Sequence, residues 1–86
     1  MNTGSAKLPE IRDVTVVATI RKSGTDFFRV RLIEIQGRVF ADTRVFFTDR
    51  DGQLRPTPKG ITVNAEQLRE IMAALIEAGK RMEGAS

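Results

Sequence analysis

Arg38-Val39-Phe40-Ala41-Asp42-Thr43-Arg44-Val45-Phe46-Phe47-Thr48 is a run rich in Val, Phe and Thr, and Asp49-Arg50-Asp51-Gly52 follows it directly. β-Branched and aromatic side chains suit a pleated, half-buried surface, while Asp and Gly tolerate the conformations that close a hairpin. The run therefore reads as the longest strand of an antiparallel sheet and the tetrapeptide as its reversal. Alternation sets Val39, Ala41, Thr43, Val45 and Phe47 on one face and Arg38 and Arg44 on the other. Phe40, Phe46 and Phe47 cannot all point one way on a regular strand, so two pack against a core or a second copy and one is exposed. Parity puts Phe47 on the apparent inner face unless a bulge intervenes.

Upstream, Gln36-Gly37 forms a tight turn, and Phe27 to Ile35 alternates, with Phe28, Val30 and Leu32 on an expected core face and Arg29, Arg31, Ile33 and Ile35 opposite. Val14 to Arg21 is almost wholly β-branched, and Lys22 to Asp26 supplies turn chemistry. Met1 to Glu10 shows no periodicity and reads as a flexible tail, giving a tail over 1–11 and one domain over 12–83. Downstream, Leu54 to Val63 predicts an irregular fourth strand, because Pro56 and Pro58 have no N–H for a ladder and belong at an edge or bulge; Gly60 marks a bend. Asn64 caps a helix with Gln67 reaching back from its third position, and Leu68, Ile71, Met72, Leu75, Ile76 and Met82 recur at helical spacing. The expected fold class is α+β: a curved four-stranded antiparallel meander followed by one C-terminal amphipathic helix.

A chain of 86 residues is one small domain. At this size only about 60–65% of the unfolded surface is buried, which predicts a homodimer. With 41% hydrophobic and 29% charged residues the chain is a globular protein rather than a disordered one. Zero Cys and zero His remove thiol chemistry, the commonest metal ligand and the commonest general base, so no enzyme, metal or cofactor is expected. Asp49 and Asp51 lack the ligating Glu of a calcium loop, since Ile61 or Thr62 stands there, and Gly37, Gly52 and Gly60 have turn spacing rather than that of a phosphate-cradling loop. The absence of a long apolar stretch predicts a cytoplasmic protein without a membrane partner.

The net charge of +3 is unevenly spread. Between Arg21 and Lys59 nine basic residues stand against five acidic ones, whereas from Asn64 onward three stand against four. A basic sheet with Phe interleaved is the composition that tracks a phosphate backbone while offering rings to splayed bases, which points to single-stranded nucleic acid.

Gly37-Arg38-Val39-Phe40-Ala41-Asp42-Thr43-Arg44-Val45-Phe46-Phe47, then Asp49-Arg50-Asp51-Gly52, then Arg55-Pro56-Thr57-Pro58-Lys59-Gly60-Ile61-Thr62-Val63, then Glu66-Gln67-Leu68 together resemble the positive-cofactor-four family of transcriptional coactivators, from about Phe28 to Ile76. The resemblance implies a homodimer of curved sheets, each followed by a helix that helps form the dimer, binding single-stranded DNA in transcription or in protection of unwound strands. It places basic contacts on Arg38, Arg44, Arg55 and Lys59 and a stacking aromatic on Phe47. Four positions depart from the family's pattern. Ile35 and Gln36 replace an aromatic and a basic residue, Pro58 replaces a basic residue, and Leu68 replaces a Trp that packs on the helix.

Arg29 and Arg31 join the expected DNA-binding set, although a solvated strand face would give the same alternation. For Arg44 the bland reading is a surface pair with Asp42 or Glu34. Leu68, Ile71, Met72, Leu75 and Ile76 are expected in a core or dimer seam. The expected function is single-stranded DNA binding with little sequence preference, by a nucleoid-associated coactivator, regulator or strand protector. The rival readings are an RNA-binding module, since nothing in the sequence identifies a group that would test for a 2′-hydroxyl, and a dimeric interaction module whose basic sheet meets an acidic transcription component.

Overall fold

The computed structural model describes residues 10–85. Four strands, β1 (Ile11–Ser23), β2 (Asp26–Ile35), β3 (Arg38–Thr48) and β4 (Leu54–Val63), form one antiparallel sheet in sequence order, and a single helix, α1 (Ala65–Ala85), closes the chain. This is the expected α+β meander. Most of the expected tail, residues 1–9, lies outside the described residues; Ile11, assigned to that tail, instead opens β1, paired with Ile35. The strand starts three residues before the expected Val14 because Arg12 and Asp13 find partners on β2, an ion pair with Glu34 and another with Arg31.

The two inner strands pair without interruption from Asp26↔Phe47 to Ile35↔Arg38. Their hairpin is closed by Gln36 and Gly37, both at positive φ (51° and 80°), the double left-handed turn whose twist matches that of the flanking strands. Both edge strands are irregular. β1 spends 13 residues against the 10 of β2, with register shifts between Asp13 and Thr15, Val16 and Ala18, and Arg21 and Ser23. On β4 the pairing passes from Gly60, opposite Arg44, to Pro56, opposite Phe46, so that Thr57, Pro58 and Lys59 together face Val45. Pro58 has no N–H to donate; instead the Thr57 hydroxyl donates to the Val45 carbonyl at 2.7 Å, restoring a bond the ladder would otherwise lose. Immediately beyond, Gly60 lies so close to β3 that a Cβ there would stand 2.5 Å from the Thr43 carbonyl oxygen and 2.7 Å from Arg44 Cα.

The helix begins as its sequence requires. The Asn64 side chain accepts from the Gln67 backbone N–H at 2.8 Å, and the Gln67 side chain accepts from the Asn64 N–H at 3.0 Å, a reciprocal capping box. Only its first turns touch the sheet. Leu68 and Ile71 are half-buried, while Met72, Leu75 and Ile76 are exposed. In the single chain the expected seam is thus an uncovered apolar stripe on a helix about 31 Å long at 1.5 Å per residue.

The burial differs from the expectation that Phe28, Val30 and Leu32 carry the core. The sheet curls around the opposite face, so that Ile11 and Asp13 of β1 and Leu54 and Pro56 of β4 line one groove above Arg29, Arg31 and Phe46. Within that concave side Ile33, Asp42 and Phe46 are the most deeply buried described residues, at 2%, 0% and 3% exposure. The convex side keeps Leu32 and Ala41 under the start of α1 but leaves Phe28, Val39 and Ile61 exposed. Curvature, which alternation alone cannot specify, decides which of two apolar faces closes on itself.

Candidate nucleic-acid interface

The uninterrupted register between β2 and β3 pairs Arg29 with Arg44, Arg31 with Asp42 and Ile35 with Arg38, so four expected DNA-binding cations share the concave face. Phe47 is paired with Arg55 across β3 and β4 on the convex face. Lys59 lines a small apolar hollow there with Phe28, Val45 and Ile61. The expected site is therefore divided between two sides of the sheet. Phe47, 41% exposed, is an accessible ring without a bulge on β3 to turn it toward the groove.

Asp42 organises the concave side. Its Oδ2 accepts from Arg31 Nε at 2.9 Å, and its Oδ1 accepts from Arg44 Nη2 at 2.9 Å and from the Thr62 hydroxyl at 2.7 Å. Burial alone pushes this carboxyl up, but donation from Arg44, Thr62 and Arg31 more than offsets it, and Asp42 is held below the ordinary carboxylate range. Arg31 carries a second carboxylate, Asp13, at 2.6 Å, and Arg44 Nη1 donates to the Thr57 carbonyl at 3.0 Å. The bland reading of Arg44, a pair with Asp42, describes its contacts, except that the pair is largely enclosed: the side chains of Arg31 and Arg44 are 11% and 18% exposed.

Rings and cations are stacked on the same face. Arg29 and Arg31 both lie over the Phe46 ring, at 4.9 and 5.1 Å from its centroid, and Arg38 lies over Phe40 at 5.8 Å. Arg29 is oriented by a bond from Nε to the Thr19 hydroxyl at 3.1 Å. Phe46, one of the three Phe residues among which the sequence left the stacking ring open, proves to be the buried ring, and Asp42, read from sequence only as a surface partner of Arg44, is the organising residue whose part sequence reasoning missed. Their only signal was parity, which places both with Arg38 and Arg44. At the far end of the sheet Asp49 accepts from Arg55 Nε and from the backbone N–H groups of Gln53 and Asp51, with Arg55 foremost in holding its carboxyl below the usual range. Asp49 is thus a turn former that also orients Arg55. Among the described residues Arg38 and Lys59 form no ion pair, and no group of acidic side chains could hold a metal ion. No described helix is long and apolar enough to cross a membrane.

Residues 23–74 match the family model described as Transcriptional Coactivator p15 (PC4). Among solved structures, the chain is similar to a PC4 homolog from Burkholderia pseudomallei in two crystal forms. The tetragonal form shares 33% identity at a TM-score of 0.70, over 74% of this chain and 94% of that one. The orthorhombic form shares 32% at a TM-score of 0.72, over 79% and 90%. No curated protein gives a significant match.

Proposed function

Since this chain belongs to the Transcriptional Coactivator p15 (PC4) family, we propose that it binds single-stranded DNA with little sequence preference, as a homodimer, and acts on unwound strands as a transcriptional coactivator, regulator or protector. The observation that carries this reading is the concave groove, in which Arg29, Arg31 and Arg38 each lie over a Phe ring. A groove of this kind suits a flexible strand whose bases are splayed and whose phosphates need neutralising, and it is poorly shaped for a stiff duplex. The role is one of binding rather than catalysis, in the cytoplasm, with acidic components of the transcription machinery as further partners.

Arg38 supplies a phosphate contact beside the groove, Lys59 and Arg55 supply them where a strand passes over the β4 edge onto the convex side, and Arg29, Arg31 and Arg44 form the floor. Phe47 beside Arg55 offers an exposed ring and cation where a strand leaves the groove around the β3–β4 turn. The dimer reading is supported by the uncovered stripe of α1, with Leu75 65% and Ile76 60% exposed, next to an open convex sheet face. Burying such surface is worth about 25 cal/mol per Å², and a second copy supplies the same stripe in return.

Anisotropy titration with single-stranded and duplex oligonucleotides of one sequence, across several salt concentrations, tests the reading. Single strands should bind more tightly, and Lys59→Ala or Arg38→Ala should flatten the slope of log affinity against log salt by about 0.7 for each phosphate no longer neutralised. Equal slopes for wild type and both variants would reduce these cations to a solvated surface. Tighter binding of a matched RNA would favour the RNA module, and no oligonucleotide binding at low salt would favour a protein-interaction module.

A further inference from the structure

The concave groove contains a planar surface that the family comparison does not assign. Phe46 is 3% exposed because Arg29 and Arg31 roof it, so a ligand entering the groove meets guanidinium planes and not the ring. Both planes are held in place. Arg29 is fixed through Nε by the Thr19 hydroxyl at 3.1 Å, and Arg31 is fixed through Nε by Asp42 at 2.9 Å and through Nη1 by Asp13 at 2.6 Å. A guanidinium packed on a ring can stack on a second π-system with its outer face; half-buried Arg29 presents that face, while the largely enclosed Arg31 completes the roof beside it.

The charge of the floor argues for the same occupant. Arg12, Arg29, Arg31 and Arg44 stand against Asp13, Glu34 and Asp42, with Arg12 paired to Glu34, so four guanidiniums and three carboxylates leave one net positive charge. A phosphate is drawn more strongly to Arg38 and Lys59, which have no carboxylate partner among the described residues. The groove above the roofed ring encloses about 540 Å³, with Ile11, Leu54 and Pro56 as apolar walls. With apolar walls and its cations mostly paired, it complements the face of an uncharged heterocycle.

We propose that the Arg29–Arg31 pair, backed by Phe46, is a stacking platform for an unpaired nucleobase, so that in this chain guanidinium planes take the part usually given to an exposed aromatic ring. The proposal rests on the single-strand reading above and deepens it by assigning bases to the groove floor and phosphates to its rim.

Two probes of equal length and equal phosphate count, an oligodeoxythymidylate and an abasic strand, separate the two kinds of contact. Wild type should prefer the thymidylate by about 5- to 150-fold per stacked base, the range expected of base stacking. Arg29→Lys keeps the charge and loses the plane. It should lower that preference by at least about fivefold while leaving the salt slope unchanged. Thr19→Val removes only the oxygen that orients Arg29 and should shift the preference the same way, which keeps the test decisive if the lysine variant does not fold. An undiminished preference in folded Arg29→Lys, or in Thr19→Val should the lysine variant fail to fold, overturns the platform. Equal binding of both probes by wild type also overturns it while leaving single-strand binding standing. Failure of wild type to bind either probe at low salt overturns both readings.

Discussion

Replacing Asp42 by Asn isolates what one buried carboxylate does for this sheet. Asp42 is fully buried and accepts from Arg31, Arg44 and Thr62. An Asn fits the same space and can still accept at one oxygen, but it presents an N–H₂ to a guanidinium and removes the countercharge. Net hydrogen bonds to charged groups are worth about 1.5–3 kcal/mol each, and breaking a buried ion pair costs about 3–5 kcal/mol. Two features pull the figure to the lower end: Arg31 keeps Asp13, and Arg44 keeps the Thr57 carbonyl and some access to solvent. The expected loss is about 3 kcal/mol, which lowers the urea midpoint by about 2 M for a slope of about 1.5 kcal/mol per M. The assay is urea unfolding at one fixed protein concentration, since a dimer's stability depends on it. Acid supplies a second arm. The folded pKa of Asp42 is depressed, so its contribution is fully present above the unfolded value of about 3.9 and is lost as pH falls through the lower folded value. The gap between wild type and Asp42→Asn should therefore be widest near neutrality and close below about pH 4. A variant within about 1 kcal/mol of wild type at neutral pH would refute the argument, because exposed ion pairs are worth no more than about that. So would a gap that persists unchanged in acid.

Gly60→Ala should destabilise the fold by at least about 1–3 kcal/mol, because its Cβ would meet backbone atoms of Thr43 and Arg44 that cannot swing aside; thermal melting at fixed concentration measures it. Gln36→Asn should raise stability by about 0.5–1 kcal/mol, since Gln36 holds φ 51° and Asn tolerates that conformation better, with chemical denaturation as the readout. Leu75→Glu should convert a two-chain particle to a single chain in native mass measurement; an unchanged mass would remove the α1 stripe from the dimer contact, since Leu75 is 65% exposed in the single chain and tolerates a charge there.

The parts of the fold legible in the sequence are those set by local chemistry. The Asn64 and Gln67 capping box, the Gln36-Gly37 reversal and the Pro-interrupted fourth strand can each be read within a few residues, and each is present. Strand parity also held: Phe47 lies opposite Arg38 and Arg44 because β2 and β3 pair without a bulge. What escaped is what curvature determines. Nothing in the alternation of β2 says that the sheet closes over Ile33 and Phe46 and leaves Phe28 exposed. The enclosure of Arg31 and Arg44 was hidden for a related reason. A surface Arg and one locked to a buried Asp have the same residue type and the same parity, and only the depth of Asp42 separates them. The bulges of β1 were hidden by composition, since a stretch that is β-branched almost throughout has no polar–apolar rhythm whose interruption would mark them.

Those bulges bear on how the protein behaves in concentrated solution. A 13-residue edge strand with Val14, Val16, Val17 and Ile20 all largely exposed has the composition that recruits further strands into fibrils. An incoming chain would need a continuous, evenly spaced row of free N–H and C=O groups, and three register shifts break that row into segments too short to seed growth. The surplus residues of β1 thus act as a guard against self-templating. A shortened β1 trimmed to match its neighbour would be a better strand and a worse protein, more regular in its pairing and quicker to aggregate in the tube.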